Sequence, residues 1–385
     1  MERYDIAIAG GGPAGSAAAI ALAREGLRVL VADAAPPNAF KTRAFKIGEG
    51  LPPNARSLLR ELRIAEPALA ACTVPSYGTL AAWGSHTLHA NDTLFGVHGA
   101  GYSLDRAAFD ATLRDAAAAA GAEIVGDARL VLVDDAARDD VRLTLRTSNG
   151  ERAIRCRRAI DAGGRAASLS RRAGAARHRD DALVAFYLRL AATRDGDASG
   201  STLVEAVPDG WWYSVRLPRG GRLVAFLGDA PDADRRRLLS VDGLWSKLGE
   251  TTHLQALCAA HGYRPNGTPR GADASGGRLD RAAGDGWLAV GDAALAFDPL
   301  SSKGIANALY TGLAGARATR AVLAGDEAAA AGYAAHVAAI HAAYRAQLAQ
   351  IYALETRWPH APFWRRRQTV PDRAHRSPST APDSP

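Results

Sequence analysis

The chain opens with a short apolar run, Tyr4 to Ala9, followed by an alanine-rich stretch from Pro13 to Glu25. A second apolar run, Leu27 to Ala32, stops at Asp33. Short apolar runs bounded by turn residues fit buried strands. The middle stretch is apolar on every side, as a buried helix is. Together they predict a β-α-β unit and hence a parallel sheet. A helix is expected over Leu104 to Ala120, introduced by Asp105-Arg106, then a parallel strand over Glu123 to Val125. Between Leu130 and Ile160, alternating runs such as Val141 to Arg146 and a turn at Asn149-Gly150 predict an antiparallel meander. Four strands separated by turns are expected at Ala182–Leu190, Ser201–Val207, Trp211–Leu217 and Arg222–Leu227, forming a second antiparallel sheet. Another strand is expected at Gly286 to Val290. Further helices are expected over Asn54–Leu62, Val241–Ala260, Gly304–Ala324 and Asp326–Thr356. Ala34 to Asn54 and Thr73 to Tyr102 show little periodicity. The end, from Asp372 to Pro385, is rich in Pro, Ser and Asp and predicts disorder.

Composition narrows the function classes. The net charge is +7, but 43 of the 47 basic residues are arginine and they are spread along the chain. Such a skew beside abundant alanine reads as codon bias, and no nucleic-acid module is present, so no nucleic-acid partner is expected. Cys72, Cys156 and Cys258 fit no metal spacing and predict reduced structural thiols. His86, His89 and His98 have no metal-binding spacing either, so no metal is expected. No apolar stretch is long enough for an integral membrane segment, and the start lacks signal-peptide character; a cytoplasmic location is expected.

The strongest chemical signal is Gly10-Gly11-Gly12-Pro13-Ala14-Gly15. Gly10 permits a tight turn out of the strand, Gly12 lets a pyrophosphate approach the backbone, and Gly15 allows close helix packing. The helix start offers free N–H groups to phosphates. Asp33 closes the second strand, where its carboxylate can accept hydrogen bonds from ribose hydroxyls. These residues predict dinucleotide binding without separating FAD from NAD. Only one such turn is present, so a dedicated second nucleotide domain is not expected.

Two later motifs separate the cofactors. Asp161-Ala-Gly-Gly164-Arg165 follows one predicted strand; Gly291-Asp292 follows another, and Asp298-Pro299-Leu-Ser-Ser-Lys303-Gly304 leads into a helix. With the glycine turn, this set resembles the FAD-dependent monooxygenases of the p-hydroxybenzoate hydroxylase fold, over Tyr4 to about Ala324. The resemblance implies an α/β fold: a Rossmann-like, three-layer FAD-binding domain with a parallel sheet and a meander, an inserted antiparallel-sheet substrate domain, and C-terminal helices. The implied boundaries are 1–72, 104–175 and 276–325 for FAD binding, and 73–103 and 176–275 for substrate. A helical segment at 326–368 and a disordered tail at 369–385 complete the chain. The resemblance also implies FAD contacts from Gly10, Gly12, Pro13, Ala14, Gly15, Asp33, Arg43, Arg106, Asp161, Gly164, Gly291, Asp292 and Pro299. The amides of Gly304 and Ile305 fall to the flavin N1–C2=O edge, where a helix start stabilises negative charge. The alternative for Arg106 is a helix-capping surface arginine.

The loop Arg43-Ala-Phe-Lys-Ile-Gly-Glu-Gly-Leu-Pro-Pro53 resembles the Gly-Glu segment of flavin-dependent halogenases and of LodB-like and QhpG-like flavoproteins. The latter oxidise a tryptophan in a partner protein. Tryptophan halogenases of this group place a lysine near Tyr77-Gly78; this chain has none between Lys46 and Lys247. The implied reaction is therefore aromatic hydroxylation through a flavin C4a-hydroperoxide, with O2 as cosubstrate and NAD(P)H or a separate flavin reductase as donor. An aromatic substrate is expected, including a Trp or Tyr on a peptide, protein or carrier. Lys46, Glu49 and Lys303 are candidate catalytic groups, with His86, His89 and His98 as further candidate bases. The two lysines read equally as solvated charges. Trp83, Trp211 and Tyr213 either line a substrate pocket or form the core of the second sheet, with Trp212 on the opposite face from Trp211. The alternatives are a halogenase using Lys46, a geranylgeranyl-reductase-type reductase or dehydrogenase, and a non-catalytic flavoprotein maturation partner. Trp358 to Arg367 reads as an aromatic anchor or a docking segment.

Overall fold

A computed structural model describes residues 1–35, 45–92, 99–133, 139–194, 196–229 and 232–368. The predicted disordered tail and Arg43 lie outside them. The opening strand, Glu2–Ala9, has parallel neighbours on both sides: Val29–Asp33, with Ile6 opposite Val29, and Gly150–Asp161, with Ala7 opposite Ala159. Glu123–Gly126 and Trp287–Ala289 extend the sheet in parallel at its two sides. Gly150–Asp161 is long enough to take two partners in succession along one edge. Its first half pairs antiparallel with Val141–Thr147, which pairs with Ala128–Leu132, giving the predicted meander. Ile6, Ile8, Leu30, Val31 and Ile160 are fully buried, as strands covered on both faces must be.

The helix Pro13–Ala23 packs between Gly304–Leu323 and Arg106–Ala119. Its approach to the former is glycine-dependent, because a Cβ on Gly312 would lie 2.4 Å from the Ala14 carbonyl oxygen. Asp105 caps Arg106–Ala119 by accepting from the Ala108 amide, as the sequence predicted.

The second sheet runs Arg264–Pro265, Val184–Ala191, Arg222–Gly228, Gly210–Arg216, Ser201–Val207, Gly78–Ala82, His89–Asp92. It is antiparallel except where Gly78–Ala82 lies parallel to Ser201–Val207. The apparently aperiodic Thr73–Tyr102 stretch thus holds strands. Thr73–Ser76 and Gly101–Leu104 pair with each other, and Gly50–Leu51 adds to them. These strands are short and, in His89–Asp92, exposed throughout, so no alternation marks them. The single helix expected over Val241–Ala260 is two, Val241–Leu248 and His253–His261. The buried Glu205 carboxylate, reaching across from the sheet, accepts the amides of Thr252, His253 and Leu254 and starts the second helix. A cap supplied by a distant strand leaves no local signal.

Ala328–Ala353 and Pro362–Gln368 close the molecule. Phe363 and Trp364 are buried, Trp364 Nε1 donates to the Val207 carbonyl at 2.9 Å, and Arg366 and Arg367 pair with Asp229. The C-terminal aromatics are therefore an intramolecular anchor. Trp364→Ala is expected to cost about 3–5 kcal/mol, read as a lowered thermal midpoint. All three cysteines are buried and free. No described helix is long and apolar enough to cross a membrane.

Candidate active site

Strand register brings the three glycine motifs together. Ala9 lies opposite Asp161 and Asp161 opposite Ala289, so Gly10, Gly163 and Gly291 leave adjacent strands at the same carboxyl edge. The Ala162 amide donates to Ala9 O and the Val290 amide to Asp161 O, each at 2.9 Å. This edge is where open α/β sheets take ligands.

Gly10 has φ +109°, and a Cβ there would lie 2.4 Å from Ala162 O. A Cβ on Gly15 would lie 1.9 Å from Gly10 O. Gly12 differs: its Cβ would meet nothing within 4 Å. Two of these glycines are demanded by the chain's own packing, and the third faces open space. Pro13 begins the helix with no side-chain cap and no acid in the first turn. The first intrahelical bond is Ser16 N to Gly12 O, so the Ala14 and Gly15 amides face out of the helix start. Gly304–Leu323 starts the same way, with Lys303 as an uncapped N-cap and no acid following. A Cβ on Gly304 would also meet nothing within 4 Å. Pro299 sits in a single turn, Pro299–Ser301, whose Leu300 amide is held by Asp298 at 2.8 Å.

The carboxylates around this edge divide by role. Asp33 accepts from the Ala35 amide at 3.0 Å and pairs with Arg114 at 3.2 Å, while Arg114 also reaches Gly11 O. Asp161 is fully occupied by the fold: one oxygen accepts from Gly163 N, the other from Ser170 N. Burial pushes its carboxyl up against those bonds. Its task is to shape the turn that presents Gly164, at φ +65°. Asp292 pairs with Arg165 at 3.0 Å, and Arg165 continues to Phe297 O, tying the last two motifs together. Arg114 and Arg165 had no assigned role in the sequence reading. Arg106, Asp110 and Arg114 recur every fourth residue, which places them on one helix face and was the available signal.

Arg106 is engaged differently from the expected phosphate contact. It is buried, forked against Asp110, and donates to the carbonyls of Ile47 and Gly48. Lys46 Nζ meets the same Asp110 at 2.9 Å. Burial pushes the Asp110 carboxyl up, but Arg106 and Lys46 outweigh it and hold it below the usual range. The helix thereby pins the Gly-Glu loop through its backbone. Lys303 points elsewhere, to Gln347 Oε1 at 2.7 Å. His86 and His89 are exposed on the outer edge of the second sheet, and His98 lies outside the described residues.

Glu49 is the buried ionisable group of this loop, 1% exposed. Its Oε2 accepts from Tyr213 Oη at 3.2 Å; its Oε1 has no partner among the described residues. Burial pushes its carboxyl up to about 7, against the backbone amides of the loop and the Arg106 charge. Burial and Glu49 together push the Tyr213 phenol up. Tyr213 therefore stands at the site with Glu49. Trp83 and Trp211 instead join an aromatic cluster with Tyr352 and Trp364, with ring centroids 6.4 Å apart for Trp83 and Trp211 and 5.2 Å for Trp83 and Trp364. Trp211 is 1% exposed and donates to Tyr352 Oη, which donates to Asp298. This is the core arrangement that the sequence left open. Trp212 takes the opposite face, against Phe226.

Residues 3–204 match the FAD binding domain family. The FAD-dependent oxidoreductase LodB of Marinomonas mediterranea is 30% identical over 383 residues, covering 98% of this chain and all of that protein. The crystal structure of CmlS, a flavin-dependent halogenase, matches with TM-score 0.82 and 26% identity over 96% of this chain and 68% of that one. QhpG, a peptidyl tryptophan dihydroxylase essential for tryptophylquinone cofactor biogenesis, matches in fold with TM-score 0.76 at 24% identity, over 97% and 80%. The open space over Gly12 and Gly304, the two uncapped helix starts and the flanking Asp33 and Asp292 fit an FAD laid across the sheet edge. The chain belongs to the FAD binding domain family and is an FAD-dependent oxidoreductase.

Proposed function

We propose that this oxidoreductase is a monooxygenase that hydroxylates an electron-rich aromatic ring, a tryptophan or tyrosine presented on a peptide, protein or carrier. The observation that carries this reading is Glu49: a buried carboxyl that burial pushes up to about 7, with one oxygen bound by Tyr213 and the other without a partner among the described residues. An unpartnered buried acceptor is costly unless something donates to it, and a ring N–H or O–H is such a donor. A base that titrates near the working pH is also the most effective one.

FAD, when bound and reduced, supplies oxygen activation together with O2. The chain's own residues do the rest. The Ala14 and Gly15 amides would hold its pyrophosphate, and Asp33 would accept from its ribose. The Gly304 and Ile305 amides, at an uncapped helix start, would stabilise negative charge on the reduced flavin. Tyr213 orients Glu49, which accepts the ring proton, and Arg106 keeps the loop in place from behind. Lys46 is paired with Asp110, which weighs against a lysine-directed halogenation. With one glycine turn, electrons come from a transient NAD(P)H or a flavin reductase.

The test is anaerobic photoreduction of the FAD-loaded protein, then mixing with O2 and free, peptide-borne and carrier-borne aromatics, with and without bromide. Addition of one oxygen atom to the substrate is expected. A bromide-dependent mass shift, or turnover without O2, would replace the reading.

A further inference from the structure

We propose that the cavity between Ala55–Glu61, Glu66–Ala70 and Tyr102 binds the phosphate of an organic ligand. The cavity measures about 270 Å³ and is floored by Leu59, Ile64 and Leu69. Arg56 and Arg60, one helical turn apart, stand on its wall. The Arg56 guanidinium lies 5.0 Å over the Tyr102 ring, and its hydrogen bond among the described residues is a long one, 3.4 Å to Ala100 O. Arg60 is exposed. Among the described residues neither closes an ion pair.

Arg106, Arg114, Arg165, Arg222 and Arg367 each hold a carboxylate. Glu66 is the one acidic lining residue, so the wall remains positive. Two forked guanidiniums at one-turn spacing match the oxygens of a phosphate. The Tyr102 face and the apolar floor accept the organic part beside it.

The place is also telling. Tyr102 pairs with Leu51, and the Leu104 amide donates to Glu49 O, so this cavity and Glu49 share one strand pair. Two phosphate-bearing molecules could use such an anchor: a nicotinamide dinucleotide visiting to reduce the flavin, or the phosphopantetheine arm of a carrier-borne substrate. The binding itself is independent of the monooxygenase reading.

Isothermal titration of the FAD-loaded protein, with the Gly10 turn thus filled, tests it using pyrophosphate, NADPH and phosphopantetheine as separate probes. One pyrophosphate per chain is expected, weakened at least about tenfold in Arg56→Gln/Arg60→Gln, with flavin content unchanged. Tighter binding of NADPH than of pyrophosphate assigns the donor; tighter binding of phosphopantetheine assigns the carrier arm. Arg60→Gln alone, whose side chain makes none of the observed hydrogen bonds, is expected to weaken binding in the same direction if the double variant misfolds. Absence of binding by all three probes, or equal affinity in wild type and Arg60→Gln, overturns the proposal.

Discussion

Gly12→Val is expected to leave this protein folded and colourless. A Cβ at Gly12 would meet no protein atom within 4 Å, so the fold has room for a branched side chain there. That room is where the pyrophosphate would lie against the Ala14 and Gly15 amides. FAD affinity is expected to fall at least about a hundredfold, about 2.7 kcal/mol. The FAD-stripped variant should melt with the stripped wild type, because removing a ligand from both removes its mass-action stabilisation. Gly15→Val makes the contrast. Its Cβ would lie 1.9 Å from Gly10 O, so the helix cannot dock and folding fails along with flavin binding. Flavin absorbance of the purified proteins and thermal midpoints of the stripped ones separate the two cases. A yellow Gly12→Val protein with wild-type flavin content would place the dinucleotide elsewhere.

Glu49→Gln is expected to lower turnover by about 10²–10⁴-fold, the usual worth of a positioned base, with little change in flavin content. In the wild type, turnover should rise with pH through about 7 as Glu49 loses its proton; in the variant that rise should be absent. Stability moves the opposite way. A carboxyl raised from its ordinary 4.5 to about 7 binds its proton more tightly in the folded state than in the unfolded one. Its contribution is fully present below the unfolded value and is lost as pH rises through about 7. The loss amounts to about 3 kcal/mol. Glu49→Gln mimics the protonated form, so its stability should stay flat across that window while the wild type declines. A pH–rate profile and denaturation at pH 5 and pH 8 measure both. An unchanged rate with an unchanged profile would remove Glu49 from the chemistry.

Much of the cofactor edge was legible in the chain. Gly10 to Gly15, Asp33, Gly291-Asp292 and the Asp298 to Gly304 loop are local backbone solutions, in which a turn and a helix start are written into adjacent residues. Local physics suffices for them, because glycine conformation, strand ends and helix N-termini are short-range properties. The parallel sheet and the meander were legible for the same reason, through apolar runs and alternation.

What the sequence alone could not decide was which side chains meet across the fold. Asp161 stands in a motif shared with cofactor-binding residues, yet both its oxygens are taken by backbone amides. Arg106 was expected at a phosphate and instead pins the Gly-Glu loop through Asp110 and two carbonyls. Trp83 and Trp211 share a core with Tyr352 and Trp364, residues more than a hundred positions away. Glu49 acquires its near-neutral titration from burial, which no neighbour in sequence reveals. The reason is common to all four: desolvation and hydrogen-bond partnership depend on which surfaces the sheets and C-terminal helices bring together. The sequence by itself determined that the chain builds a dinucleotide edge; only the tertiary structure decided that a buried carboxyl, held by Tyr213, lies in the loop beside it.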